Sequence, residues 1–186
     1  FMKIIRLLAP IINILPRNII RYIGSKLSDF IIKKYAKLEV SGTDILSERI
    51  GKPTIFIANH LSNVDGIILN KILKNNNVTF MAGRKLKANP ITSIFLRIVK
   101  HIYISPNSAD KKAIKNALDI LSMGESILIF PEGTRSRSGS MMKGKKGFLL
   151  LARLSKADIV PIALEGTELM LPINQNDMGK ETPKHA

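Results

Sequence analysis

The 186-residue chain has no cysteine, no tryptophan, only three histidines, and 14 acidic residues against 29 Lys and Arg. Without cysteine there can be no disulfide framework, no thiolate zinc or iron–sulfur site and no cysteine nucleophile. Any chemistry must use oxygen and nitrogen groups. His60, His101 and His185 are too scattered to build a zinc centre, no His-Glu-x-x-His occurs, and His101 reads as structural. The strained elbow of a serine hydrolase is missing too, because no Gly-x-Ser-x-Gly is present. Nine prolines, 12 glycines and 45% hydrophobic residues exclude collagen-like, low-complexity and disordered classes. They predict one globular domain with a core of its own.

What is abundant is positive charge: the net charge is +15 and the isoelectric point near 10.2. Such a surface expects an anionic partner: nucleic acid, an anionic membrane or a phosphorylated substrate. Residues 1–37 hold eight of the basic groups (Lys3, Arg6, Arg17, Arg21, Lys26, Lys33, Lys34, Lys37) against one acid, Asp29. The same stretch is dense in Ile and Leu and poor in the interleaved aromatics that stack on nucleic-acid bases. It therefore predicts amphipathic helices lying on an anionic membrane surface, with no nucleic acid as partner. The apolar run 7–16 is about half the roughly 20 residues a bilayer requires and is interrupted by Pro10, Asn13 and Pro16, so a span is not expected. Pro16-Arg17-Asn18 follows in place of a small-residue cleavage site, against a signal peptide. The helices can also pack one face on the core.

Past residue 38 short apolar runs alternate with amphipathic stretches. The runs 54–58, 78–82, 101–104, 126–130 and 159–164 predict buried strands. Between them the spacing predicts helices over 65–74, 91–100, about 109–122 and 147–155. The third is best delimited, with Ser108 as N-cap, Asp110 in the first turn and Gly124 after its end. Alternation of this kind specifies an α/β fold: a layered, mostly parallel sheet with flanking helices, here preceded by the N-terminal membrane-surface helices. The expected organisation is 1–37 for those helices, 38–173 for the α/β domain and 174–186 for a polar tail.

In such folds sites lie at the carboxyl ends of the strands. Strand 54–58 runs into Asn59-His60-Leu61-Ser62-Asn63-Val64-Asp65, with His60 and Asp65 five apart. Five positions on a regular helix would face them apart, so contact needs a turn, which a strand exit supplies. A carboxylate on one imidazole nitrogen fixes the tautomer and leaves the other as a base for a hydroxyl. Strand 126–130 opens into Pro131-Glu132-Gly133-Thr134-Arg135-Ser136, offering N–H groups, hydroxyls and a guanidinium fork that suit a phosphate. From 133 to 156 there are seven basic residues and no acid, among them Arg135, Arg137, Lys143, Lys145 and Lys146. Gly139 to Lys145 has the outline of a Walker loop, but Lys146 stands where Ser or Thr should hold magnesium.

Taken in order, Asn59-His60 with Asp65 after four intervening residues, Phe130-Pro131-Glu132-Gly133-Thr134-Arg135-Ser136 and Val160-Pro161-Ile162 resemble the signature blocks of the glycerophospholipid acyltransferase family, in its 1-acylglycerol-3-phosphate acyltransferase branch. Gly144-Lys145-Lys146-Gly147 resembles the basic turn after the third block, with Gly144 in place of an aromatic. The resemblance runs over about residues 40–164. It implies transfer of an acyl group from a thioester of coenzyme A or acyl carrier protein to the free hydroxyl of lysophosphatidic acid, giving phosphatidic acid without any other cofactor. His60 would be the general base and Asp65 its orienting partner. Glu132, Gly133, Thr134 and Arg135 would hold the acceptor's phosphate and glycerol, with Lys145 in support. The cytoplasmic face of the membrane is the expected place, with peripheral or monotopic attachment.

The second block departs from the family pattern. The strand there ends Tyr103-Ile104-Ser105-Pro106, without the Arg expected to help hold the acceptor phosphate. Arg84, Lys85, Lys111 and Lys112 are the basic residues available to replace it, or the acceptor is another lysolipid. A non-catalytic basic protein binding lipid or nucleic acid would account for the charge equally well. It would leave His60, Asp65 and Glu132 at strand exits without a reason.

Overall fold

The computed structural model describes residues 15–88, 90–105 and 110–170. Its centre is a five-stranded sheet: β1 (Thr54–Ala58), β2 (Val78–Gly83), β3 (Lys100–Ile104), β4 (Ser126–Ile129) and β5 (Asp158–Ile162). All pairs are parallel and the order is β3-β2-β4-β1-β5. The helices are α1 (Arg17–Tyr35), α2 (Thr43–Glu48), α3 (Asp65–Ile72), α4 (Pro90–Ile98), α5 (Lys111–Ser122), α6 (Gly147–Ser155) and α7 (Thr167–Met170), with a 3-10 turn at Arg84–Ala88. Parallel strands need crossovers, and the crossover helices cover both faces, which is why the central strands read as continuous apolar runs.

Register aligns the side chains across the sheet. Phe80 stands beside Leu128, Leu128 beside Phe56 and Phe56 beside Val160. This row packs on Leu69 of α3, on Leu73 just after that helix and on Val99 just after α4. The opposite face carries Ile55 and Ile127, which pack on Ala117 and Leu121 of α5 and Leu151 of α6. Each fully buried Phe, Ile or Leu contributes about 1.5–3 kcal/mol by leaving water. These rows make the sheet the rigid base on which the strand exits are mounted.

Helix α1 forms an outer layer. Ile20, Gly24 and Ile32 are buried, and Ile32 packs with Val64, Ile68 and Met170, tying α1 to α3 and α7. Asp29 also pairs with Lys71 of α3. The other side of α1 leaves Ile19, Tyr22, Ile23, Leu27 and Phe30 exposed beside Arg21, Lys26 and Lys34. The helix expected within 1–37 is thus core-packed on one face and, among the described residues, exposed on the other; residues 1–14 of that segment lie outside the described residues, as do the 174–186 tail and Ser108.

Several boundaries differ from expectation; the expected 65–74 helix ends at Ile72 and the expected 159–164 strand runs over Asp158–Ile162. Helix α5 starts at Lys111, and Asp110, expected within the first turn, is the N-cap, its carboxylate accepting from Ala113 N. The expected 91–100 helix ends at Ile98, because Lys100 begins β3 beside Thr79. Strand β4 ends at Ile129, so Phe130 has already left the ladder. Among the described residues no helix is long and apolar enough to cross a membrane.

Candidate active site

Strands β1 and β4 are neighbours, with Ile57 beside Ile129 as their last matched pair. Their exits bring together the two segments singled out in the sequence. After Ala58 the chain turns through 59–64 into α3, and Asp65 is the first residue of that helix. Its carboxylate points back into the turn. Asp65 Oδ2 accepts from Leu61 N at 2.7 Å and Ser62 N at 2.8 Å and stands 2.8 Å from His60 Nδ1. Asp65 is wholly buried, whereas the His60 side chain is 21% exposed. A carboxylate accepts only, so Nδ1 carries the proton and Nε2 is left with its lone pair. A dyad buried at the carboxylate and open at the imidazole can take a proton from a bound hydroxyl.

The segment after β4 grips His60 from the opposite side. The ring stacks on Phe130 with centroids 4.1 Å apart and planes 20° from parallel. His60 N donates to Glu132 Oε1 at 2.9 Å, and Ser136 N donates to His60 O at 2.7 Å. Asn59 anchors the preceding peptide: its Nδ2 donates to Leu164 O at 2.8 Å and its Oδ1 accepts from Leu164 N at 2.7 Å. The chain leaving β5 is thereby fastened to the same turn. Beneath the dyad, a Cβ on Gly66 would lie 2.7 Å from Phe95 Cζ, so only glycine lets α3 start this close to α4.

The 130–136 turn closes with Gly133 N donating to Phe130 O, and Gly133 adopts φ +72°, a conformation open to glycine. Lys145 N donates to Pro131 O, and the Lys145 side chain runs over Gly133, with Nζ 2.9 Å from where a Cβ would stand. Gly133 and Thr134 are exposed, Arg135 is half-buried and Lys145 is exposed. Glu132 is the exception among the residues expected to bind substrate: it is only 5% exposed, with its carboxylate turned inward to His60.

At the next strand exits, Arg84 Nε donates to Ser105 Oγ at 2.9 Å and its guanidinium lies 3.9 Å from Asp110. Arg84 therefore sits at the same end of the sheet as His60, just after β2, the strand flanking β4. Lys111 and Lys112 are exposed at the start of α5. His101 packs its ring edge-on to Tyr103. Asn59, Phe130 and Ser136 stand within the signature blocks, but the sequence did not show that Asn59 would bind Leu164, that Phe130 would stack on His60 or that Ser136 N would donate to His60 O.

The sequence model of the acyltransferase family matches residues 37–165, well over half the chain. The chain belongs to the acyltransferase family. Within it, the chain is 34% identical over 126 residues to a 1-acyl-sn-glycerol-3-phosphate acyltransferase of Limnanthes douglasii, covering 66% of this chain and 44% of that protein. It is 30% identical over 135 residues to one of Cocos nucifera, covering 71% of this chain and 42% of that protein. The matches thus span less than half the length of either acyltransferase relative. In fold it is similar to the crystal structure of the 1-acyl-sn-glycerophosphate acyltransferase PlsC of Thermotoga maritima, with TM-score 0.63 and 23% identity over 91% of this chain and 64% of that one. The acyltransferase family read from the sequence blocks is the one these comparisons return, and the expected α/β architecture, with its parallel sheet, is the one observed.

Proposed function

We propose that this acyltransferase moves a fatty acyl group from a thioester of coenzyme A or acyl carrier protein to the free hydroxyl of lysophosphatidic acid, yielding phosphatidic acid and the free thiol. The observation that carries it is the His60–Asp65 dyad, closed at 2.8 Å and open to solvent on the imidazole side. His60 Nε2 takes the hydroxyl proton as that oxygen attacks the thioester carbonyl. Asp65 holds the ring and stabilises the imidazolium. Collapse of the tetrahedral intermediate expels the thiolate, which recovers the proton from His60. No covalent enzyme intermediate is formed, and no cofactor is needed beyond the thioester co-substrate.

The acceptor phosphate is taken up by Arg135, Lys145 and the exposed Gly133-Thr134 turn: Arg135 follows that turn directly, and the Lys145 side chain runs over Gly133. Arg84 is the nearest counterpart of the missing second-block Arg, being at the exit of the strand next to β4. The exposed side of α1 binds the anionic membrane surface, on the cytoplasmic face where thioester donors are made, as a peripheral or monotopic attachment. Tyr22 and Phe30 would lie in the interface, with Lys26 and Lys34 reaching the headgroups.

The test is thiol release from palmitoyl-coenzyme A, and in parallel from palmitoyl-acyl carrier protein, in vesicles with lysophosphatidic acid, with lysophosphatidylcholine, or with no acceptor. Release that requires lysophosphatidic acid and is lost in His60→Ala supports the assignment. Release with lysophosphatidylcholine alone keeps the mechanism and replaces the acceptor. A folded protein that binds vesicles and releases no thiol from either carrier is a non-catalytic lipid binder.

A further inference from the structure

Glu132 lies at the mouth of a basic site, yet it is 5% exposed and spends its reachable oxygen on a backbone amide. We infer that Glu132 is a positioning residue that holds His60 by its peptide and does not hold the acceptor. This rests on His60 being the proton acceptor.

The reason lies in how the two strands part. The β1–β4 ladder has its last matched pair at Ile57 and Ile129, and beyond it the chain must turn away at Pro131 to build the phosphate-facing loop. Phe130 O accepts from Gly133 N and Pro131 O from Lys145 N, and Gly133 at φ +72° turns the chain away, so the carbonyls that follow β4 serve the loop rather than His60 N. The carboxylate of Glu132 reaches across instead and accepts that proton at 2.9 Å. It does by side chain what a longer strand would do by backbone. On the other side of the same residue, Ser136 N donates to His60 O at 2.7 Å. The segment 132–136 therefore clasps His60 fore and aft while its exposed residues, Gly133 and Thr134, remain turned to solvent.

Only one carboxylate oxygen takes part: Glu132 Oε2 is buried and meets no donor among the described residues. What the site uses is thus an acceptor atom at the right reach, rather than a charge presented to a ligand. Reach and charge are separable by substitution. Glu132→Gln keeps the chain length and the acceptor oxygen and removes the charge. Glu132→Asp keeps the charge and withdraws the oxygen by one methylene.

The expected order of kcat for acyl transfer is therefore wild type, then Gln, then Asp. The Gln variant should fall within about fivefold of wild type and the Asp variant about 100-fold below it, since misplacement by about 1 Å costs that much. KM for the acceptor should stay within about twofold in both. The second readout needs no activity: the His60 amide, followed by hydrogen exchange in the full-length protein, should stay protected in Gln and exchange at least about tenfold faster in Asp. Asp matching or exceeding Gln in kcat, a rise in acceptor KM with kcat preserved, or unchanged His60 amide protection in Asp would each overturn the inference. His60→Ala, run alongside, separates the two claims: full activity there would remove the general base while the exchange result still decides the tether.

Discussion

Asp65 accepts from three donors with one oxygen: the Nδ1–H of His60 and the N–H groups of Leu61 and Ser62 all converge on Oδ2 within 2.8 Å. The carboxylate shapes the turn and sets the tautomer with the same atom. Neither role survives if that atom becomes a donor.

Asp65→Asn should therefore lower kcat by about 10²–10⁴, because an amide that donates toward Nδ1 selects the other tautomer. Asp65→Ala should in addition destabilise the fold by about 2–4 kcal/mol, through buried N–H groups left without an acceptor. Steady-state kinetics and urea unfolding on the two variants separate these effects. Equal kinetics in Asn and wild type would remove the dyad.

Gly66→Ala opposes two effects. Replacing glycine near the start of α3 should favour the helix by up to about 1 kcal/mol. The new Cβ would sit 2.7 Å from Phe95 Cζ, and that ring is itself held edge-on against Phe80 at 5.7 Å. Overpacking of this kind costs about 1–3 kcal/mol, so net destabilisation and lower kcat are expected. Adding Phe95→Leu should recover most of both in denaturation and activity measurements. A stabilised single variant would show that the ring yields freely.

Asp110 is held below the usual carboxyl value of 3.8 by the N–H of Ala113 and, next, that of Ser105, both donating to its carboxylate. A depressed folded value means that its stabilisation is present above the unfolded value and is lost as pH falls through the folded one. The melting temperature of wild type should exceed that of Asp110→Ala at neutral pH, and the gap should close below 3.8. Paired thermal melts across that range read it directly. A gap that persists at about pH 2 would mean that the cap acts without its charge.

On α1, Tyr22 is 68% and Phe30 57% exposed, each with a lysine ammonium about 6 Å from its ring. Tyr22→Ser with Phe30→Ser should lower partition into anionic vesicles at least about tenfold, given about 1.5–3 kcal/mol per buried aromatic. Melting temperature should hardly change, since the buried face of α1 is Ile20, Gly24 and Ile32. Vesicle flotation at low and raised salt gives the apolar and electrostatic shares. Undiminished binding would place membrane contact elsewhere.

Alternation of short apolar runs with helical spacing was enough to foresee a parallel sheet and its strands, because period and run length are local properties. The His60-to-Asp65 spacing and the 130–136 segment were legible for the same reason: a strand followed by a turn is written in adjacent residues. Boundaries slipped where a neighbour decided them. Lys100 left the helical pattern because pairing with Thr79 claimed it for β3, and Asp110 became a cap because its carboxylate found Ala113 N.

What the sequence by itself determined is the inventory: the family, the layered fold and the candidates for the chemistry, with His60 and Asp65 close enough in sequence to pair across a turn. Tertiary structure decided the distant partners. The strand order that sets β1 against β4 joins Glu132 to His60 across 72 positions, and β5 beside β1 lets Asn59 grip Leu164 across 105. Whether a carboxylate faces a substrate or a backbone amide depends on which strand lies alongside. That is a choice made by long-range packing, and it leaves no periodic trace in the chain.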